Sequence, residues 1–125
     1  MIVDSSAIIA ILHEEQELEE FTELLGQVHA RLSAVTLLES SIVTGPERYR
    51  QLDELVTAAE LEVVAFDAAH AMVAREALRR FGRGSGSKAQ LNFGDCMSYA
   101  LAKVTGESLL FKGDDFTHTD ITPAR

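Results

Sequence analysis

The chain contains a single cysteine, Cys96. No intrachain disulfide is possible, and a reducing compartment, the cytoplasm, is expected. No stretch approaches the roughly 18 consecutive apolar residues of a membrane span. The opening Met1-Ile2-Val3 lacks the basic and apolar regions of a secretory signal. A soluble protein without a membrane partner is therefore expected. Positive charge is also scarce: 11 Lys and Arg face 20 Asp and Glu, a net charge of -9. That argues against general nucleic-acid binding through a basic surface. It does not argue against a nuclease, because a bound divalent cation neutralises acidic side chains locally. The four histidines, His13, His29, His70 and His118, show no His-x-x-x-His metal spacing. No nucleophile is paired with a base; Cys96 adjoins Asp95 and reads as a small buried hydrophobe. The glycines of 79–88 do not make a phosphate-cradling loop, since the preceding strand and the Gly-Lys-Ser/Thr ending are missing.

The 125 residues suffice for one domain, 1–125, with its own core. Ile2 and Val3 read as a short buried strand that hands Asp4 to the start of a helix. In open α/β sheets ligands bind beyond the carboxyl ends of strands. Asp4 is thus either a ligand or, with Ser5 and Ser6, a helix cap. Residues 7–12 form an apolar helix, continued over 13–27 with Leu18, Phe21, Leu24 and Leu25 inward, Gly26 as its stop and the glutamates solvated. A weak strand spans 28–32. Ser33 caps a helix over 34–43, on which Glu39 shares a face with Val35, Ile42 and Val43. A carboxylate among apolar neighbours must pair, bind a cation or take up a proton, unless it reaches out to water from the stripe's border.

Gly45-Pro46 starts a helix with Leu52, Leu55, Val56 and Ala59 inward. A strand follows at 61–66, and Asp67 caps a helix carrying Ala71, Val73, Ala74, Ala77 and Leu78. The Gly/Ser-rich basic stretch 79–88 reads as a flexible loop, with Arg79, Arg80, Arg83 and Lys88 available to a polyanion. Asn92 caps the next helix and sets Asp95 in its first turn, where the helix dipole favours negative charge. Gly94 marks a close approach by backbone or ligand. Met97, Ala100, Leu101 and Val104 form that helix's stripe, and Gly106 ends it. A strand at 108–111 runs into Lys112-Gly113-Asp114-Asp115, and 119–122 supplies a last edge strand.

Strands alternating with helices predict a three-layer α/β/α sandwich on a mainly parallel sheet of four to five strands. Right-handed crossovers can bring the ends of the first and fourth strands together. Asp4 would then meet Asp114 or Asp115, with Glu39 and Asp95 in reach. An oxygen-only cluster suits a hard ion, Mg²⁺ or Mn²⁺. Two other classes share such features: an acidic-pocket phosphatase or phosphoacceptor domain, and a non-catalytic interaction module. The phosphatase type wants Asp-x-Asp, whereas Asp4 is followed by Ser5-Ser6.

The segments Ile-Val-Asp-Ser-Ser-Ala, Ser-Ala-Val-Thr-Leu-Leu-Glu-Ser, Asn-Phe-Gly-Asp-Cys-Met-Ser-Tyr-Ala-Leu-Ala and Leu-Leu-Phe-Lys-Gly-Asp-Asp-Phe, in this order, resemble the PIN-domain ribonucleases, and among them the VapC toxins of VapBC toxin–antitoxin pairs. The resemblance covers nearly the whole chain. It implies a metal-dependent endoribonuclease in which Asp4, Glu39 and Asp95 are the acidic site residues and Ser6 supports them. The fourth acidic position falls on Asp114 or Asp115, with Asp114 favoured; the family often has Thr-x-Asp where this chain has Lys112-Gly113-Asp114-Asp115. The resemblance further implies an RNA substrate, a homodimer, and a VapB-like antitoxin covering the acidic cleft. Leu18, Phe21 and Leu24 are candidates for the dimer face, alongside a plain core role.

Overall fold

The computed structural model describes residues 1–125. Its strands are β1 (Ile2–Val3), β2 (Arg31–Ser33), β3 (Glu62–Val64) and β4 (Leu109–Leu110). All pair in parallel, in the order β3-β2-β1-β4. The helices are α1 (Ser5–Leu12), α2 (Leu18–Gln27), α3 (Ala34–Thr44), α4 (Tyr49–Ala58), α5 (Ala68–Phe81) and α6 (Phe93–Thr105), with a 3₁₀ turn at Pro46–Arg48.

The central strands β1 and β4 are short and buried on both faces, so their side chains alternate between two cores, while β3 at the edge is largely exposed. Ile2 and Leu109 point into a cluster with Ala77, Leu91, Tyr99 and Leu101, built on α5 and α6. Val3 and Leu110 point the other way, into a cluster with Ile8, Phe21, Leu32 and Leu52. These are the outer layers of the expected α/β/α sandwich. Truncating a fully buried side chain such as Phe21 to Ala would cost roughly 3–5 kcal/mol. Phe21 is fully buried in this core, and Leu18 and Leu24 are partly buried against it.

The sheet order reverses at β1: the chain passes to β2 on one side and returns to β4 on the other. This is a topological switch point, where the crossovers diverge and leave a crevice at the strand ends. The Asp4 amide donates to the Leu110 carbonyl at 2.9 Å, so the segments leaving β1 and β4 begin side by side.

Several boundaries differ from expectation. Residues 13–17 are turns, with Glu14 at φ 52°, and the second helix starts only at Leu18. Gly26 lies inside α2, which ends where Val28 turns extended. The strands expected at 28–32 and 61–66 shrink to Arg31–Ser33 and Glu62–Val64. The last strand, expected at 119–122, is a single parallel bridge from Pro123 to Leu109. Proline lacks the donor that a longer edge strand would need. Arg79 and Arg80 are helical, because α5 runs through Phe81 before the glycines begin.

α3 departs most from its pattern. It buries Thr36, Ser40 and Thr44 and exposes Leu38, Ile42 and Val43. The buried hydroxyls of Ser40 and Thr44 donate to carbonyls four residues back, at 2.8 and 2.7 Å. They satisfy themselves, so this small-residue face can pack against its neighbours without an orphaned polar group.

Candidate active site

Asp4, at the carboxyl end of β1, is 2% exposed. One oxygen, Oδ2, caps α1: it accepts from the Ser6 amide at 3.0 Å and the Ser6 hydroxyl at 2.6 Å. The other, Oδ1, is buried with no partner. The cap thus occupies one oxygen of Asp4 and leaves the other free. An unpaired carboxylate oxygen at such depth is costly unless a cation or a proton meets it. Ser6 does more than cap. Its hydroxyl also accepts from the Lys112 amide at 3.0 Å, tying the segment after β4 to Asp4.

Glu39 reaches toward this point from α3. Its Oε1 accepts from the Ser5 hydroxyl. Its carboxyl is held above the usual range by burial, with the Asp4 charge adding and the Ser5 hydrogen bond opposing. The apolar stripe expected around Glu39 is absent, since Ile42 and Val43 face outward. Glu39 is instead desolvated against α6. A Cβ on Gly94 would overlap its carboxylate, so only glycine permits the approach. The close contact anticipated at Gly94 is thus with Glu39.

Asp95 is fixed by a reciprocal capping box: its amide donates to Asn92 Oδ1 at 2.9 Å, and its Oδ2 accepts from the Asn92 amide at 2.8 Å. Its pKa is pushed up to about 7, first by burial, then by the charges of Asp4, Asp115 and Glu39, against the Asn92 hydrogen bond. The Asp4 charge therefore reaches both Glu39 and Asp95, and that of Glu39 reaches Asp95. On the loop after β4, the exposed Asp115 contributes to that field, and Asp114, favoured from the sequence, does not figure in it. Cys96 is fully buried and its thiol is pushed up to about 11 by burial and Asp95, which leaves it inert.

Sequence reasoning missed two parts of this arrangement. Ser5 holds Glu39, and only the Ser5-Ser6 doublet after the strand-end Asp hinted at a second hydroxyl. Lys112 pairs with Glu15 and, at 2.9 Å, with Glu17. That clamp joins the 112–115 loop to the turn between α1 and α2, and shows that the glutamate run is not merely a solvated face.

A model of the PIN domain matches residues 1–121. The ribonuclease VapC42 of Mycobacterium tuberculosis is 49% identical over 129 aligned residues, spanning 99% of this chain and 98% of that one. Ribonuclease VapC28 of the same organism is 48% identical, over 99% and 97% of the two chains. The chain belongs to the VapC branch of the PIN-domain family. The fold agrees. The M. tuberculosis VapC20 structure, titled a sarcin-ricin loop cleaving toxin, superposes with a TM-score of 0.72 at 18% identity, over 99% of this chain and 98% of that one. A toxin–antitoxin complex from Klebsiella pneumoniae gives 0.71 at 16%, covering 95% and 92%.

Within this PIN domain no three His, Cys, Asp or Glu side chains close into a ready cage for an ion. The donor set nevertheless suits a hard cation that keeps much of its water, as Mg²⁺ does when held by one or two carboxylates. Asp4 Oδ1 is the orphan that such an ion would satisfy, and Asp95 is the neighbour whose charge most needs offsetting. No helix is long and apolar enough to cross a membrane.

The basic residues divide. Arg79 is bound to Glu76, and Arg80 to Asp120 at 3.3 Å. Arg83 and Lys88 are exposed and form no ion pair. The stretch between them is less free than expected: the Gly82–Leu91 bridge closes its base, and Ser85 and Ser87 hydrogen bonds brace its turns.

Proposed function

We propose that this VapC-type PIN domain is a Mg²⁺-dependent endoribonuclease, with Mn²⁺ as a substitute, acting as the toxin of a toxin–antitoxin pair. The carrying observation is the meeting of buried Asp4, with its unpartnered Oδ1, Glu39 and Asp95 at the sheet's switch point. Asp4 and Asp95 would hold the ion directly or through water, and Glu39 and the 114–115 loop would complete its surroundings. A bound divalent cation supplies charge neutralisation at the phosphodiester and a more acidic water. Glu39, desolvated and anchored by Ser5, is suited to orient the attacking water and accept its proton. Asp115 is preferred over Asp114 as the fourth carboxylate, because its charge bears on Asp95. Ser6 positions Asp4. Arg83 and Lys88 are the phosphate contacts in this reading, in place of the acid-paired Arg79 and Arg80.

The acidic crevice suits a basic segment of a VapB-like antitoxin. A homodimer would find its apolar surface on α3, at Leu38, Ile42 and Val43. Family membership sets aside the phosphatase and phosphoacceptor alternatives. A non-catalytic module is tested by RNA cleavage with added Mg²⁺, beside Asp95→Asn prepared identically. Cleavage by wild type alone is expected, and equal activity in both would refute the site. Sequencing the 5′ ends of fragments after brief expression identifies the target RNA.

A further inference from the structure

Five of the six phenylalanine rings are engaged inside the fold. The Arg125 guanidinium lies over Phe21, with 4.8 Å to the ring centroid. Phe66 meets His70 edge-on at 5.7 Å, Phe81 packs on Tyr99 at 5.9 Å, and Phe111 on Phe116 at 5.1 Å. Phe93 is the exception. It is 70% exposed and has no ring or cation partner.

Its position is well defined. Phe93 is the first residue of α6, between the cap Asn92 and Gly94. The capping box fixes the backbone on either side of it. The next residue touches the Glu39 carboxylate, and the one after is Asp95. An exposed, unpartnered ring, carried on a fixed stretch of backbone, therefore stands next in the chain to the carboxylate cluster.

Any RNA whose phosphate enters that cluster brings a base past this ring. The chain's charge of -9 makes phosphate contacts a weak source of affinity. A base stacked on an aromatic ring involves no charge repulsion and accepts any base. We propose that Phe93 is a nucleobase platform, whose ring stacks on an unpaired base beside the phosphate being cleaved. This rests on the ribonuclease reading above. Paired bases are already stacked and cannot reach the ring, so the platform selects loops and single strands.

The chain has no tryptophan, so Phe93→Trp introduces its sole indole. With Ca²⁺ replacing Mg²⁺, short unpaired oligoribonucleotides are expected to quench that indole saturably, while an abasic oligomer of equal length and a duplex do not. In Mg²⁺ cleavage assays Phe93→Ala should raise KM by about 5- to 150-fold, the range that loss of one base–aromatic stack implies. Phe93→Trp should restore KM, and Phe93→Leu, equally apolar without a π face, should not. Melting temperatures should match wild type, because the ring is exposed. The proposal is overturned if the alanine or leucine variant cleaves like wild type. It also fails if the abasic chain quenches equally, or if the indole emission follows protein concentration without RNA, meaning that a second copy covers the ring. Wild-type protein that cleaves no RNA with any divalent cation would remove the ribonuclease reading and the platform together. Wild-type cleavage with an unimpaired Phe93→Ala removes the platform alone.

Discussion

Asp95→Asn should make the metal-free protein more stable while abolishing its activity. The Asp95 pKa moves from 3.8 to about 7 on folding, chiefly by burial and further by Asp4, Asp115 and Glu39. A displacement of that size corresponds to roughly 4 kcal/mol in favour of the protonated form within the fold. The folded state binds this proton more tightly than the unfolded chain. Stability from this group is therefore greatest below pH 4, falls as pH rises through 7, and stays reduced above it. Asparagine carries no charge to penalise, and its amide oxygen can still accept from the Asn92 amide. In EDTA at pH 8 the variant should gain about 2–4 kcal/mol, a melting increase of roughly 10 °C for a chain of this length. At pH 5 Asp95 is mostly protonated in the folded protein but not in the unfolded chain, so the gap should shrink to about half or less and close only below pH 4. With Mg²⁺ at a hundred times its Kd the wild type alone should gain about 2.7 kcal/mol. Urea unfolding followed by circular dichroism from pH 5 to 9, with and without Mg²⁺, measures all of this. Parallel pH profiles for the two proteins would refute the assignment of strain to Asp95.

Gly94→Ala should leave melting nearly unchanged, since helix propensity favours alanine by up to about 1 kcal/mol, yet its Cβ would displace Glu39. Cleavage should fall by about 100-fold, the scale of a misplaced catalytic group; full activity would place Glu39 outside the chemistry. Ser6→Ala removes the hydroxyl shared by Asp4 and the Lys112 amide, and should weaken Mg²⁺ binding or cleavage by roughly 10- to 100-fold, readable by calorimetric titration. Asp115→Asn should lower the pH at which metal-free stability changes and reduce cleavage, and Asp114→Asn should do neither. The reverse order would restore Asp114 as the fourth carboxylate.

Much of the candidate site was legible because most of its acidic residues stand beside a local signal. Asp4 follows an apolar pair and precedes serines, Asp95 sits three residues after a capping Asn, and Gly94 adjoins it. Local signals fail where the reason for a residue lies across the fold. Glu39 was read through Ile42 and Val43, but α3 turns a hydroxyl face inward, where Ser40 and Thr44 satisfy their own buried oxygens. Arg80 looked free because its partner Asp120 lies 40 residues away, whereas Arg79 pairs with Glu76 only one helical turn back. The preference between Asp114 and Asp115 is invisible in a doublet and depends on how the loop leaves β4.

The sequence by itself determined the alternation of strands and helices, the caps that start them, and the family. Hydrophobic period and capping chemistry act within a few residues, and a chain's order of motifs survives without coordinates. Tertiary structure alone decided which oxygen of Asp4 is spent and which is left unpaired, that Glu39 rests on Gly94, and that Phe93 stands uncovered beside them. Those properties depend on desolvation and contact between segments brought together only by the crossing at β1. Carboxylates that the sequence could only enumerate become, in the fold, a coupled group with one pKa near neutrality.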